Sequence, residues 1–386
     1  MIVNTFKSEN DIYKVYPKTR KFDIKDIFSE YWEDFLIYAK DLIIRDVVFN
    51  NVDKMLDCKT PNLGYNLWQC PTCNHEHAGY NTCKARFCSS CGVKYSKERT
   101  LQIMTKLINV KHRHMVFTVP DVLWDYFRED RDRLHLFFQA VNITLSSWFK
   151  KIKKNENFKP GFIQVLHTYG RDNKWHPHIH CLLAEATAGN NEIRKIDFFP
   201  YQMLRKRFQK VFLDLLEKDV GKVNFRKIKN FCYTKWDKGF YIRAKKNEFK
   251  KCSKKALEYV LRYCGKPAFA SYRILNIDYE NNQITFWYQR SEDQLFNVER
   301  IPIFKFIERL IMHIPDYQFK TIRYYGFYAS RSHKRFKEFK LLIDKLKIPF
   351  YKSMLKWRML ILASFKKDPL LCPKCDTIML FQKLIL

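Results

Sequence analysis

The sequence predicts an α+β protein in which antiparallel hairpins alternate with helices behind a cysteine-rich N-terminal region. Three observations predict this. Apolar positions recur at the helical period in several separate stretches. Pairs of apolar runs flank polar turns, which marks hairpins and hence an antiparallel sheet. Six of the twelve cysteines, four of them in Cys-x-x-Cys knuckles, crowd the turn-rich stretch from Cys58 to Gly92.

Residues 24 to 56 carry Ile27, Phe28, Tyr31, Phe35, Leu36, Ala39, Leu42, Ile43 and Val47 near the 3.6 period and are expected to be helical. A turn-rich cysteine block follows from Cys58 to Gly92. Met115 to Val119 is a strand candidate stopped by Pro120. Residues 131 to 150 place Leu134, Phe137, Phe138, Val141 and Leu145 on one helical face. Two apolar runs, Phe162 to Thr168 and Ile179 to Leu183, flank Arg171-Asp172-Asn173-Lys174 and form a hairpin. Helices are expected from Tyr201 to Lys218, before Gly221, and from Ser253 to Gly265, with Ser253 as N-cap and Pro267 just beyond the end. A second hairpin turns at Asn281-Asn282, and Arg331 to Lys347 has the pattern of a basic amphipathic helix.

With 71 Lys and Arg against 40 Asp and Glu, the chain has a formal net charge of +31. A positive field of this size calls for a polyanionic partner, of which nucleic acid is the usual one. Aromatic residues make up 16% of the chain, enough to fill cores and also to stack on unpaired bases. No basic segment followed by an apolar stretch opens the sequence, and no run is apolar enough to span a bilayer, so a cytoplasmic, nucleoid-associated location is expected. Cysteines in such a setting point to metal rather than disulfides.

Cys70-Pro-Thr-Cys73 and Cys88-Ser-Ser-Cys91 have the spacing of a closed tetrahedral Zn²⁺ site. Cys58, His75, His77 and Cys83 lie nearby, either as a second site or as surface residues and a buried thiol. A further knuckle, Cys372-Pro-Lys-Cys375, has no partner pair after it; it is half of a site completed from elsewhere, or a remnant.

Trp175-His-Pro-His-Ile-His180 puts His178 and His180 on one face of a strand, with Ile179 turned to the core. Two imidazoles so placed can share one divalent ion and leave positions open for substrate oxygens. If the turn centres between Asp172 and Asn173, His167 lies opposite His178, close enough to be a third ligand. His176 shares the parity but lies further along, and His114 precedes the expected first strand. Tyr259-Val-Leu-Arg-Tyr263 places two phenols one helical turn apart. Such a pair is ordinarily core; beside a metal it becomes a pair of nucleophiles. Lys254, Lys255, Arg262 and Lys266 flank it and could neutralise DNA phosphates.

These residues together resemble the two-tyrosine insertion-sequence transposases that move by a rolling circle, within the HUH endonuclease superfamily. Five stretches match in order: the knuckled block through Tyr80-Asn-Thr-Cys83 and Arg86-Phe-Cys88; His114 to Pro120; Leu166-His-Thr-Tyr-Gly170 to His180; Tyr259-x-x-Arg-Tyr263 with Gly265-Lys-Pro267; and His313-Ile-Pro315 leading to Ile322-Arg-Tyr-Tyr-Gly326. The resemblance implies an HUH-type five-stranded antiparallel palm flanked by helices. It implies Mg²⁺ or Mn²⁺ on His178 and His180, with Tyr259 and Tyr263 forming 5′-phosphotyrosine links. It also implies a zinc module that helps bind element ends and Arg323 in the DNA-binding set. The expected division is a helical region over 1–57, a zinc-binding domain over 58–105, the endonuclease domain over 110–275 and a basic C-terminal region over 276–386. The expected activity is nicking and rejoining of single-stranded or hairpin DNA. The rival readings are a plasmid or phage replication initiator and an inactive zinc-dependent DNA-binding protein.

Overall fold

The computed structural model describes residues 1–17, 22–108, 110–152, 158–189, 192–196, 198–244, 267–290, 292–329 and 347–385. In chain order, β1 (Ile2–Phe6) and α1 (Glu9–Val15) precede α2 (Ile24–Tyr38) and α3 (Asp46–Leu56). Next come β2 (Tyr65–Gln69), β3 (Glu76–Tyr80), α4 (Ser89–Met104), β4 (His112–Thr118), α5 (Trp124–Glu129) and α6 (Leu134–Ile152). The chain continues through β5 (Lys159–Tyr169), β6 (Trp175–Gly189), β7 (Glu192–Lys195), α7 (Tyr201–Val220), α8 (Lys222–Lys235) and β8 (Ile242–Ala244). It ends with β9 (Ile274–Asp278), β10 (Gln283–Gln289), β11 (Phe296–Pro302), α9 (Ile303–Ile311), β12 (Ile322–Gly326), α10 (Lys347–Met354), α11 (Trp357–Phe365) and β13 (Leu380–Ile385). Mixed helix and sheet is therefore observed. The expected helix from Ser253 and the expected helix from Arg331 fall outside the described residues.

The central sheet runs β12-β5-β6-β4-β8, with β7 also on β6, and its neighbours pair antiparallel. Asn173, at positive φ in the turn, lets β5 fold back on β6. The resulting register sets His167 opposite His178 and Leu166 opposite Ile179, as the sequence predicts. Alternation then divides the sheet. Phe117, Phe162, Ile179 and Leu183 face α6 and α7, where Phe137, Phe208 and Phe212 are fully buried. Burying a Phe of this kind stabilises by roughly 1.5–3 kcal/mol. The opposite face carries Ile163, Val165 and Leu182 under Phe327 and Tyr328 at one end and histidines at the other.

Two expectations about organisation change. Residues 24 to 56 form two helices, because the chain turns between Ala39 and Arg45; Leu42 and Ile43, which fit the helical period, point into solvent. The linear division at 57 and 275 also does not follow the cores. Phe28 and Phe35 of α2 pack with Phe286 of β10 and Phe306 of α9, and β12 from the C-terminal region is an edge of the central sheet. The second sheet, β1-β11-β10-β9, contains the hairpin expected at Asn281-Asn282. A third, β13-β2-β3, adds the C-terminal strand to the β2-β3 hairpin of the cysteine block. Among the described residues no helix is long and apolar enough to cross a membrane.

Candidate functional site: a histidine cluster and two cysteine clusters

On the face of the central sheet away from α6 and α7, His167, His178 and His180 bring one ring nitrogen each to within 4.8 Å of the others. His178 Nε2 and His180 Nε2 are 3.1 Å apart. Two nitrogen donors about 2.1 Å from one octahedral ion would lie about 3.0 Å apart, so this spacing fits a shared divalent cation. In His178 and His180 the other ring nitrogen is engaged as such a site needs. His178 Nδ1 donates to the His176 carbonyl oxygen at 2.8 Å, leaving Nε2 as the lone-pair atom. His180 Nδ1 faces His114 Nε2 at 2.9 Å. Burial pushes His178 down to about 4, and burial followed by His167 and His178 holds His180 well below its ordinary value. Both rings are therefore neutral near pH 7, the state a metal ligand requires.

His114 lies inside β4, not before it, because that strand begins at His112; its side chain shares the face of His180. Strand parity alone would have found it had the start been placed three residues earlier. Tyr169 stacks on His167 with centroids 5.0 Å apart. His313 then braces the turn. Its Nε2 donates to the Asn173 carbonyl oxygen at 3.0 Å, and its Nδ1 accepts from the Thr168 hydroxyl at 3.1 Å. Arg131 lies over the Trp175 ring at 4.3 Å. A pocket beside this turn is lined by Arg86, Arg131, Tyr169, Pro267 and His313, residues drawn from distant parts of the sequence.

Tyr259, Tyr263, Lys254, Lys255, Arg262 and Lys266 lie outside the described residues. The chain leaves the described residues at Ala244 on β8 and re-enters at Pro267 in the pocket. Arg323 packs its guanidinium over Phe138 at 4.1 Å and against His135, so it is engaged with α6.

The cysteines pair differently from the spacing-based expectation. Cys88 and Cys91 join Cys58 and Cys83, whereas Cys70 and Cys73 join Cys372 and Cys375. The β2-β3 hairpin explains why. Cys70 and Cys73 sit at its tip, while Cys58 and Cys83 lie near its base, where Lys59 and Asn81 meet. Five residues of strand separate the two ends by roughly 16 Å, so thiolates at tip and base cannot share an ion. His75 and His77 belong to neither cluster. In the first cluster, Cys58–Cys91 and Cys83–Cys91 sulfurs are 3.6 and 3.5 Å apart. Four sulfurs about 2.3 Å from a tetrahedral zinc would be about 3.8 Å apart, so the set fits structural Zn²⁺.

Residues 161–335 match the family described as "Putative transposase", and residues 27–119 match that described as "Transposase zinc-binding domain". The "Transposase for insertion sequence element IS801" of Pseudomonas savastanoi pv. phaseolicola is 28% identical over 89% of this chain and 85% of its own length. The "Putative transposase y4qJ" of Sinorhizobium fredii is 25% identical over 80% of this chain and 81% of its own. No solved structure matches.

Proposed function

Because the chain belongs to the insertion-sequence transposases that carry a zinc-binding domain, we propose that it nicks and rejoins single-stranded DNA through 5′-phosphotyrosine links on Tyr259 and Tyr263. The observation that carries this reading is the convergence of His167, His178 and His180 on one face of an antiparallel sheet. In this reading His178 and His180 hold Mg²⁺ or Mn²⁺, His167 completes the set and His114 orients His180. A divalent ion there supplies positive charge for a scissile phosphate and its leaving oxygen. The five-strand path with His178 and His180 on its central strand supports an HUH-type palm.

A phenol has a reference pKa near 10 and attacks poorly at neutral pH without such charge nearby. Tyr263 is four residues before Pro267, a length that extended chain covers in at most about 14 Å. Pro267 lines the pocket that also contains Tyr169, the ring stacked on His167. That tether supports Tyr263 as a nucleophile within reach of the cluster. Lys254, Lys255, Arg262 and Lys266 would neutralise DNA phosphates around the pair.

The test is a nicking assay on hairpin-bearing oligonucleotides with Mg²⁺ or Mn²⁺, resolved for covalent protein–DNA adducts. Wild-type protein should give adduct on the 5′ end, and Tyr259→Phe with Tyr263→Phe should abolish it while binding persists. His178→Ala should lower Mn²⁺ affinity and cleavage together by more than about 100-fold, above the loss expected from an orienting partner alone. Adduct formation by the double Phe variant would remove both tyrosines from the mechanism.

A further inference from the structure

We propose that Cys70, Cys73, Cys372 and Cys375 hold a second Zn²⁺ that clasps the C-terminal segment onto the N-terminal zinc module. The two knuckles are built alike. In the first, the Cys70 amide donates to the His75 carbonyl at 2.9 Å and the Asn74 amide to the Cys70 carbonyl at 3.0 Å. In the second, the Cys372 amide donates to the Thr377 carbonyl at 2.9 Å and the Asp376 amide to the Cys372 carbonyl at 3.0 Å. Asn74 and Asp376 both adopt positive φ, at 55° and 56°. Cys-Pro-x-Cys followed by Asn or Asp thus makes the same turn twice, since these side chains tolerate the left-handed region. Each turn aims two sulfurs at the other.

The sulfur spacing separates zinc from the alternatives. Cys70–Cys375, Cys73–Cys375 and Cys73–Cys372 are 3.4, 3.5 and 3.6 Å apart. A disulfide needs about 2.0 Å, and four thiolates on tetrahedral zinc need about 3.8 Å. The Lys374 amide also points at Cys372 Sγ at 3.5 Å, a contact that favours a thiolate. All four positions are sulfur, so the site is closed and structural. Loading exchanges four thiol protons for one cation, giving a tetrathiolate of net charge −2 and releasing up to four protons.

The surroundings show what the clasp secures. β13 pairs antiparallel with β2, with Leu380 opposite Gln69 and Ile385 opposite Tyr65. Trp68 stacks on Trp357 at 6.4 Å and meets Phe381 edge-on at 5.5 Å, and Met379 is buried with Cys70 and Cys372. The β2-β3 hairpin alone would be marginal in water, because two strands bury too little. The third strand and its metal turn it into a sheet. The closure joins segments about three hundred residues apart, and loop-closure entropy grows with that separation.

Zinc per full-length chain is the deciding measurement, by metal analysis after removal of loosely bound ions. Wild type should carry two zinc ions, and Cys372→Ser with Cys375→Ser should carry one. Trypsin should then cleave between Lys352 and Lys374 at least tenfold faster than in wild type. Cys372→His, which keeps a ligand, should retain two. One zinc in wild type, or two in the double serine variant, overturns the clasp. Should the serine variant fail to fold, alkylation of wild type decides. Cys73 and Cys375 are exposed, yet zinc-loaded protein should spare them from iodoacetamide and chelated protein should not. Their modification in the zinc-loaded chain, or a disulfide linking the two knuckles in unreduced peptides, also overturns it.

Discussion

His112 is an imidazole with both nitrogens spoken for: Nδ1 donates to the Val110 carbonyl at 2.9 Å, and Nε2 accepts from the Tyr328 hydroxyl at 2.6 Å. Burial pushes it down from 6.5 to about 4. In the unfolded chain the same ring takes up a proton near its ordinary value, so below that pH the unfolded state binds more protons than the fold. The contribution of neutral His112 is therefore fully present above about pH 6.5 and is lost progressively as the pH falls toward about 4. Its limit is roughly 3 kcal/mol, from 1.36 kcal/mol per pK unit. His112→Gln should flatten urea-derived stability against pH by up to about one proton between pH 6 and 4.5. An unchanged slope would mean that His112 titrates normally in the fold. His313 is lowered to about 4 by the same cause, so the difference between variant and wild type, not the total slope, carries the information.

At the scale of elements, the close approach of β12 to β5 at the end of their ladder depends on a glycine. Gly326 has φ +60°, and a Cβ built on it would lie 1.6 Å from the Pro160 carbonyl oxygen. Gly326→Ala adds left-handed strain to a backbone collision and should cost about 2–4 kcal/mol. Gly221 supplies the control, because it has φ +98° but open space around its Cβ position, so Gly221→Ala should show only the strain. Thermal melts of the two variants and amide exchange across β12 and β5 check this; equal losses would put the collision out of account. The same strands show what could be read in advance. The β5-β6 register was legible because a short polar turn and alternation fix every cross-strand pair, which placed His167 opposite His178. The pairing of Cys70 with Cys375 was not, because closure across most of the chain leaves no local pattern beyond the repeated Cys-Pro-x-Cys knuckle. The recruitment of β12 into the central sheet was hidden for the same reason. The break between α2 and α3 was hidden differently: Leu42 and Ile43 keep the helical period yet are exposed.

At the scale of the whole molecule, the excess of 71 basic over 40 acidic side chains sets how binding must respond to ions. A transposase whose substrate is DNA gains most of its sequence-independent affinity by releasing counterions from phosphates. For single strands the logarithm of the association constant falls with the logarithm of salt at a slope near −0.7 for each phosphate neutralised. Contact with about six phosphates, modest for this charge, gives a slope near −4, or roughly a 300-fold loss between 50 and 200 mM salt. Oligonucleotide binding by fluorescence anisotropy across that range should follow the line in the absence of divalent metal, since the basic surface and not the histidine site supplies this term. The His178→Ala variant should keep the wild-type slope while losing cleavage. A slope shallower than −1 in both proteins would mean that affinity comes from stacking on aromatic side chains instead, and the net charge would then have no part in holding the strand.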